Sequence, residues 1–354
     1  MAAFTTIDDP SAYFKVKIYT GNGSANHAIT FDDTDTSMQP DFVWIKNRDQ
    51  TDGHCQFDSV RGATKLLTPE AVSETTDTDT LDSFASDGFQ VDADVKVNTN
   101  TEKYVSWNWK AGTTSGIDAT GANITPSGYS FSQTAGFSII AYTGNGTDDS
   151  QVPHGLGAVA HVMMVHSRSE NLESNATYHH KNAPSAPAGQ FLELGTTNAT
   201  RDGSTRWSDT IPTSVLFTLG DSHSVNKSSA TYVAWCWAEK QGFSKFGVHT
   251  GNGNANGVFV YTGFRPAFLM TKNTGATSDW AMYDNKRNAF NPIDNYVYAN
   301  TTDAEDPVVK IDFLANGYKV VSSATPNNSG HDFAYMAFAE VPLVNSNGVP
   351  GCAR

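Results

Sequence analysis

Three patterns of apolar and polar positions recur in the same order along the chain. In the first pattern the two kinds of residue alternate and run into a Gly-Asn-Gly turn, at residues 16–23, 139–146 and 246–253. Alternation is typical of a strand with one buried face, and Asn-Gly favours a type I′ hairpin because both residues tolerate a positive φ. We therefore predict a strand and a tight hairpin turn in each copy. The predicted turn residues are Gly21, Asn22, Gly23, Gly144, Asn145, Gly146, Gly251, Asn252 and Gly253.

The second pattern is a nearly continuous apolar run. Residues 40–47 align without gaps on residues 266–273, and residues 160–167 form the middle copy. Such a run predicts a strand that is buried on both faces. A further motif follows at a constant distance, and this spacing indicates a shared structure. Its copies are residues 57–61 and 283–287, with residues 178–181 in the middle.

The third pattern places large side chains at every second position, at residues 104–109, 232–237 and 333–338. A period of two predicts a strand that turns one face to the core of a sandwich. The tryptophans also suggest stacking against sugar rings, but their recurrence at one place in the strand favours the core. Residues 84–91 and 313–320 predict a further hairpin with its glycine turn in register. The predicted core residues are Trp107, Trp109, Trp235, Trp237, Met336 and Phe338.

Short strands and glycine turns in a unit of this size suit a two-sheet sandwich. We therefore predict an all-β protein made of three tandem β-sandwich domains, of jelly-roll or lectin-like type. A Gly/Ser/Thr-rich linker separates the first two domains and is expected to bend, whereas the second junction is expected to be stiff. The predicted boundaries are 1–112, 136–241 and 242–345 for the domains, 113–135 for the linker and 346–354 for a C-terminal tail.

Charge and composition narrow the range of partners. The formal net charge of −14 repels nucleic acid backbones, so we expect no nucleic acid partner. No apolar run approaches the roughly 18 residues of a membrane-spanning helix, and the start of the chain lacks a secretory signal pattern; we expect no membrane insertion. Cys55, Cys236 and Cys352 are scattered without metal-ligand spacing, which indicates reduced thiols and assembly in the cytoplasm.

A search for reaction chemistry finds no established motif. The chain has no nucleophile elbow, P-loop, dinucleotide fingerprint or HExxH helix, so we expect a protein that is not an enzyme and has no cofactor. Asp-rich stretches at residues 32–37 and 77–82 are more typical of solvated turns, and calcium binding there stays an open alternative.

Histidines concentrate in the middle repeat. His161 and His166 are five residues apart on one predicted strand and should point to opposite faces, which does not suit a shared metal. The neighbouring His179 and His180 are expected in a surface loop. We therefore predict no metal site, and the sequence identifies no ligand-binding residue.

Several of these motifs also occur together in a known group of proteins. The Tyr-Thr-Gly-Asn-Gly turn, the strand at residues 232–239, the junction at residues 242–253 and the ending at residues 337–340 resemble a family of uncharacterised repeat domains encoded in tailed-phage genomes, especially marine ones. Its members are usually called tail-fibre or other virion structural proteins. The likeness is closest over residues 137–340. It implies a viral setting and a lectin-like sandwich, and it supplies no catalytic or binding residues.

The leading hypothesis is a bacteriophage virion structural protein, a tail fibre, spike or adaptor component that serves assembly and host attachment. Its expected partners are other virion proteins and further copies of the same chain, and its expected location is the virion, assembled in the host cytoplasm. The first alternative is a capsid or tail decoration protein without a receptor role. The second is a lectin-like adhesin that binds a host surface glycan, with loops between strands as the expected site.

Overall fold

The structure is a computed structural model that describes residues 5–31, 36–69, 73–170, 175–182 and 186–351. Strands account for 43% of the chain and helices for 5%, which confirms the predicted all-β class. We refer to residues 1–112, 136–241 and 242–345 as the first, second and third units, and to residues 113–135 as the connecting segment.

The first unit contains β1 (Phe14–Thr20), β2 (His27–Thr30), β3 (Phe42–Asn47), β4 (Cys55–Asp58), β5 (Lys65–Leu66), β6 (Thr75–Thr76), β7 (Leu81–Ala85), β8 (Gly88–Val91) and β9 (Lys103–Trp109), with a 3-10 helix at Pro10–Ala12 and helix α1 at Val95–Asn98.

The connecting segment contributes β10 (Gly128–Ser132). The second unit contains β11 (Phe137–Thr143), β12 (Ser150–Pro153), β13 (Val162–Ser167), β14 (Ala176–His179), β15 (Gln190–Glu193), β16 (Arg201–Asp202), β17 (Leu216–Leu219) and β18 (Thr231–Trp237), with a 3-10 helix at Pro187–Gly189 and helices α2 (Ser204–Trp207) and α3 (His223–Asn226).

The third unit contains β19 (Ser244–Thr250), β20 (Phe259–Tyr261), β21 (Phe264–Asn273), β22 (Ala281–Asp284), β23 (Ile293–Tyr298), β24 (Asp306–Leu314), β25 (Gly317–Val320) and β26 (Asp332–Pro342).

One antiparallel four-stranded arrangement recurs in the three units. Its order is β1-β9-β3-β4 in the first, β11-β18-β13-β14 in the second and β19-β26-β21-β22 in the third. The register recurs as well, since Trp107 pairs with Trp44, Trp235 with Met164, and Met336 with Met270. The repeat in the sequence is therefore a repeat of strand order and register.

A smaller set of strands packs over this central sheet. In the first unit β2, β8 and β7 form it, and Ile29 and Phe89 meet Val43 and Phe57 in a core of that unit. In the second unit β12 and β17 form it and enclose a second core. The predicted hairpins at residues 84–91 and 313–320 are confirmed as β7–β8 and β24–β25.

A third core is shared by all three units. The Phe42 ring of the first unit lies 4.6 Å from the Trp235 ring of the second, and Phe14 lies 5.0 Å from Phe338 of the third, measured between ring centroids. The alternating strand residues predicted to fill each sandwich lie in this shared core and are at most 3% exposed: Trp107, Trp109, Trp235, Trp237, Met336 and Phe338. The sequence pattern did not predict that one core would join the units.

Buried side chains tie the units together around this core. Asp58 and Asp284 end the matching strands β4 and β22, and each binds an arginine three residues later, Arg61 and Arg287, at 2.5 and 2.6 Å. The same aspartate oxygens accept an indole N–H from another unit: Trp235 donates to Asp58 at 3.1 Å and Trp107 donates to Asp284 at 3.2 Å. At the equivalent place in the second unit, His179 Nε2 donates to the carbonyl of Tyr335 at 3.1 Å.

A backbone hydrogen bond repeats with the same symmetry. The amide of Glu305 donates to the carbonyl of Arg48 at 2.9 Å, that of Glu74 to Arg168 at 3.0 Å, and that of Thr200 to Thr274 at 2.9 Å. The third unit thus donates to the first, the first donates to the second, and the second donates to the third. The three units therefore close into a ring with approximate threefold symmetry.

The Gly-Asn-Gly motif does not form the predicted hairpin. Strand β1 pairs with β9 and β2 pairs with β8, and the corresponding strands of the other units are separated in the same way. The prediction was wrong because a buried asparagine from a distant segment holds the turn. The Oδ1 atoms of Asn98, Asn226 and Asn327 accept the amides of Asn22, Asn145 and Asn252, each at 2.9 Å.

The connecting segment is part of the sheet structure, contrary to the predicted bendable linker. Strand β10 pairs with β11 over Gly128–Ser132, and Phe131 exchanges two backbone hydrogen bonds with Thr113 at 2.9 and 3.0 Å. Its Gly/Ser/Thr-rich composition suits an edge strand here because the neighbouring strands supply the hydrogen bonds.

A candidate binding cleft between the second and third units

A cleft of about 470 Å³ opens where the second unit meets the third. The second unit contributes His161, Glu239 and Gln241, and the third contributes Lys245 and Tyr261. Lys245 belongs to β19, and Tyr261 ends β20. Residues 238–243 join β18 to β19, so the second-unit side of the cleft lies just beyond strand ends, and Lys245 and Tyr261 on the third-unit side belong to strands.

Glu239 organises the polar side of the cleft. One carboxylate oxygen accepts the Lys245 ammonium at 2.9 Å, and the other accepts the backbone amide of Phe246 at 2.8 Å. The carbonyl of Phe246 accepts a hydrogen bond from His180 Nε2 at 2.8 Å. Two side chains thus satisfy both backbone groups of one residue in β19.

The imidazoles beside Glu239 are neutral at neutral pH. Burial is the main cause: it lowers the pKa of His161, and it lowers the pKa of His180 to about 4. Their rings lie 4.5 Å apart between centroids, at 84°, and His161 Nδ1 accepts the Glu239 amide at 3.1 Å. Each ring therefore has a fixed hydrogen-bonding role in the wall.

An aromatic side chain forms the opposite wall. Tyr261 is 57% exposed and follows Phe259, which is 48% exposed. Gly263 continues this wall with φ of +84°, a conformation that favours glycine. The cleft thus combines an exposed aromatic face with carboxylate, ammonium and amide groups.

Other residues considered in the sequence lie away from this cleft. The Gly-Asn-Gly turns lie at the buried asparagines, and the tryptophans lie in the shared core. His179 is 5% exposed at the end of β14, so the predicted surface loop was wrong for it; the burial comes from the contact with the third unit. The sequence did contain a signal for the asparagines, because Asn98, Asn226 and Asn327 all stand six residues before the first residue of the third pattern.

Parts of the Asp-rich stretches and two of the three cysteines lie within the described ranges, and Cys352 lies outside them. Residues 32–35 lie outside the described ranges, and in the second stretch the Lys96 ammonium stands 3.6 Å from Asp77. Within the described ranges no three His, Cys, Asp or Glu side chains are grouped to hold a metal ion. Cys55 and Cys236 are buried free thiols, and burial raises the pKa of Cys236 to about 12.

None of the helices in the described parts of the chain has the length and apolar character that crossing a membrane requires.

Comparison with known proteins gives one match. A family model described as a domain of unknown function, DUF7483, matches residues 9–342. The chain belongs to this family. The DUF7483 match spans all three units, so the family is defined over the whole ring and not over one repeat. The comparisons with curated proteins and with solved structures found no match.

Proposed function

We propose that this DUF7483 protein is a structural component of a bacteriophage particle, a tail fibre, spike or adaptor that serves assembly and host attachment. The observation that carries the proposal is the closed ring, in which buried charged groups are bonded across unit boundaries. The pairs Asp58–Arg61 and Asp284–Arg287 each receive an indole from another unit. Such a ring holds three similar surfaces in a fixed geometry, which suits symmetric contacts in a particle.

We also propose that the three units are copies of one β-sandwich. Support comes from the repeated order and register of the central sheet and from the smaller sheets over the first two units. The sequence resemblance to tail-fibre and other virion proteins supports the viral setting.

Analysis of purified particles tests the proposal. We expect mass spectrometry to find the chain in particles purified through a density gradient, and gold-labelled antibody to place it at the tail or the capsid surface. Label at the tail tip would favour attachment, and label over the capsid would favour the decoration alternative. Absence of the chain from washed particles would refute a structural role.

Glycan binding is a second candidate function, and the exposed Tyr261 favours it. Aromatic faces beside carboxylate and amide groups suit a sugar ring, which has apolar faces and polar edges. We expect wild-type protein to bind on a glycan array and Tyr261→Ala to lose that binding. Phe290→Ala is the matched control, because Phe290 is 78% exposed and does not line the cleft. A blank array would exclude this candidate.

A further inference from the structure

We infer that the cleft between the second and third units is a docking site for an extended peptide strand of a partner protein. Like β10, this strand would alternate aromatic and small residues. This inference deepens the proposed function by naming the kind of partner, and it rests on that function only for the origin of the peptide. Its basis is a comparison of equivalent strand edges within the molecule.

Strand β10 shows what such an edge accepts. Ser130 pairs with Ile139 at the centre of the β10–β11 ladder, and the amide of Ser127 donates to the carbonyl of Ala141 at 2.8 Å. Aromatic and small residues alternate along β10, with Tyr129 and Phe131 between serines and glycine. On its other side β10 bonds to Thr113. It is thus an extended segment inserted between two parts of the chain.

Among the described residues, the third unit has the same edge with no strand on it beyond the single bridge between Ser244 and Lys240. Strand β19 is the last strand of its sheet on this side, and alignment of the Gly-Asn-Gly motifs makes Phe246 equivalent to Ile139 and Val248 equivalent to Ala141. Val248 is partly exposed, whereas Ala141 is 3% exposed. An unpaired edge is the feature that strand-adding partners recognise.

The cleft lies where β10 would lie. Phe131 of β10 packs over Gly155, where an added Cβ would come within 2.8 Å of the ring. Residues 160 and 266 begin aligned copies of the second pattern, and Gly155 and Tyr261 each stand five residues before them. Gly155 therefore corresponds to Tyr261, which forms the aromatic wall. Counting from the third pattern, Thr113 corresponds to Gln241, another lining residue. The walls of the cleft are therefore the counterparts of the residues that hold β10.

Side chains substitute for the missing strand. Glu239 accepts from the amide of Phe246, and His180 bonds its carbonyl. These are the backbone groups that, at Ile139, face Ser130. These side-chain hydrogen bonds protect an open edge from unspecific pairing. An incoming strand would displace the Glu239 and His180 side chains from the Phe246 backbone, while Glu239 kept its bond to Lys245. Backbone groups aligned in this way fit a peptide better than a sugar.

A labelled peptide with the sequence of residues 126–134 is the probe. We expect its fluorescence anisotropy to rise saturably with full-length protein. The control peptide carries proline in place of Ser130. Because proline lacks the central backbone amide, this peptide should bind at least about tenfold more weakly. Because both peptides meet the same protein, this comparison is independent of protein folding.

Protein variants locate the site. Glu239→Ala frees the Phe246 amide and should tighten binding severalfold, whereas Val248→Pro removes an outward amide of β19 and should weaken it. Ile18→Pro is the matched control, because Ile18 is the equivalent residue of β1 and its change should leave binding unaltered. Circular dichroism and thermal unfolding verify that each variant is folded.

Other outcomes would overturn the inference. These are equal binding of the two peptides, no binding by either wild type or Glu239→Ala, or a glycan that occupies the cleft and excludes the peptide. Self-association that Val248→Pro abolishes and the peptide does not inhibit would assign the edge to a second copy instead. Particle composition is measured separately, so failure here leaves the virion proposal to its own test.

Discussion

At two of the three unit boundaries a buried aspartate–arginine pair occupies the matching position, and at the third this position is neutral. Where the second unit meets the first, Arg168 makes two hydrogen bonds to Glu74, at 2.9 and 3.1 Å, beside the buried Asp58–Arg61 pair. Where the third meets the second, Asn182 stands in place of Arg61, and Thr200 makes the backbone hydrogen bond that Glu74 makes at the other boundary. The Thr200 hydroxyl donates to Asn182.

All three boundaries nevertheless share the backbone hydrogen bond and the shared apolar core. Backbone geometry and core packing therefore define the ring. The buried polar positions are satisfied either by an ion pair or by a neutral hydrogen bond such as that between Thr200 and Asn182. Once a charge is buried there, however, its partner becomes indispensable, because an unpaired buried charge is strongly unfavourable.

The largest effect is expected from breaking a buried pair. Arg287→Ala leaves Asp284 fully buried without its cation and should lower the free energy of unfolding by roughly 3 to 5 kcal/mol. Asn182→Ala at the equivalent neutral position should cost about 1 kcal/mol, the value of an ordinary hydrogen bond. Urea unfolding of the two variants measures the difference, and equal losses would contradict the distinction between the boundaries.

Acid should weaken the boundary between the second and third units through His179. Burial is the main cause that lowers the pKa of His179 from its ordinary value of 6.5 to about 3. As the pH falls, the unfolded chain therefore takes up a proton at His179 before the folded chain does. Its contribution to stability is present above pH 6.5 and is lost as the pH falls toward 3, at up to about 1.4 kcal/mol per pH unit. His179→Gln should flatten this part of the pH profile of unfolding. An unchanged slope would exclude His179 as a cause.

An intermediate effect is expected from the indole contact. Trp235→Phe keeps an aromatic ring but removes the N–H that reaches Asp58, and it should cost about 1.5 to 3 kcal/mol, as for a hydrogen bond to a charged group. Trp109→Phe is the control, because the Trp109 Nε1 atom has no hydrogen-bond partner within the described ranges. Thermal unfolding compares them, and a larger loss for Trp109→Phe would contradict this role.

The smallest effect is expected from Glu74. Burial raises its pKa, but the hydrogen bonds and charges of Arg168 and Arg61 outweigh burial and hold the pKa below the ordinary value of 4.5. The stabilising contribution is therefore complete above pH 4.5 and declines as the pH falls through the lowered pKa. Glu74→Gln should be less stable than wild type by about 1 kcal/mol at pH 7. The two should converge in acid, and a gap that persists at pH 3 would contradict an ionic origin.

Much of the local structure could be predicted because it depends on neighbouring residues. Alternation located β9, β18 and β26, the apolar runs located β3, β13 and β21, and the Asp-Gly turn located the β7–β8 hairpin. Each of these signals lies within one short stretch of chain. The Gly-Asn-Gly prediction failed because its partner, an asparagine such as Asn98, lies 76 residues away and competes with the local turn.

The candidate cleft could not be predicted for the same reason. Its walls come from two units, and its open edge depends on a strand that pairs with β11 and has no counterpart on β19 among the described residues. Composition alone suggested a linker at residues 113–135. Only pairing with β11 turned part of this segment into a strand.

The sequence by itself determined the repeat, the all-β class and the residues that fill the cores, since these follow from periodicity and the burial of apolar side chains. The tertiary structure alone decided that three copies close into one ring, which of the matching buried positions meets which neighbour, and which sheet edges among the described residues stay open. Those features depend on contacts such as Trp235 to Asp58, between residues 177 positions apart. No local pattern encodes such a pairing, because it arises only when complete sheets pack against each other.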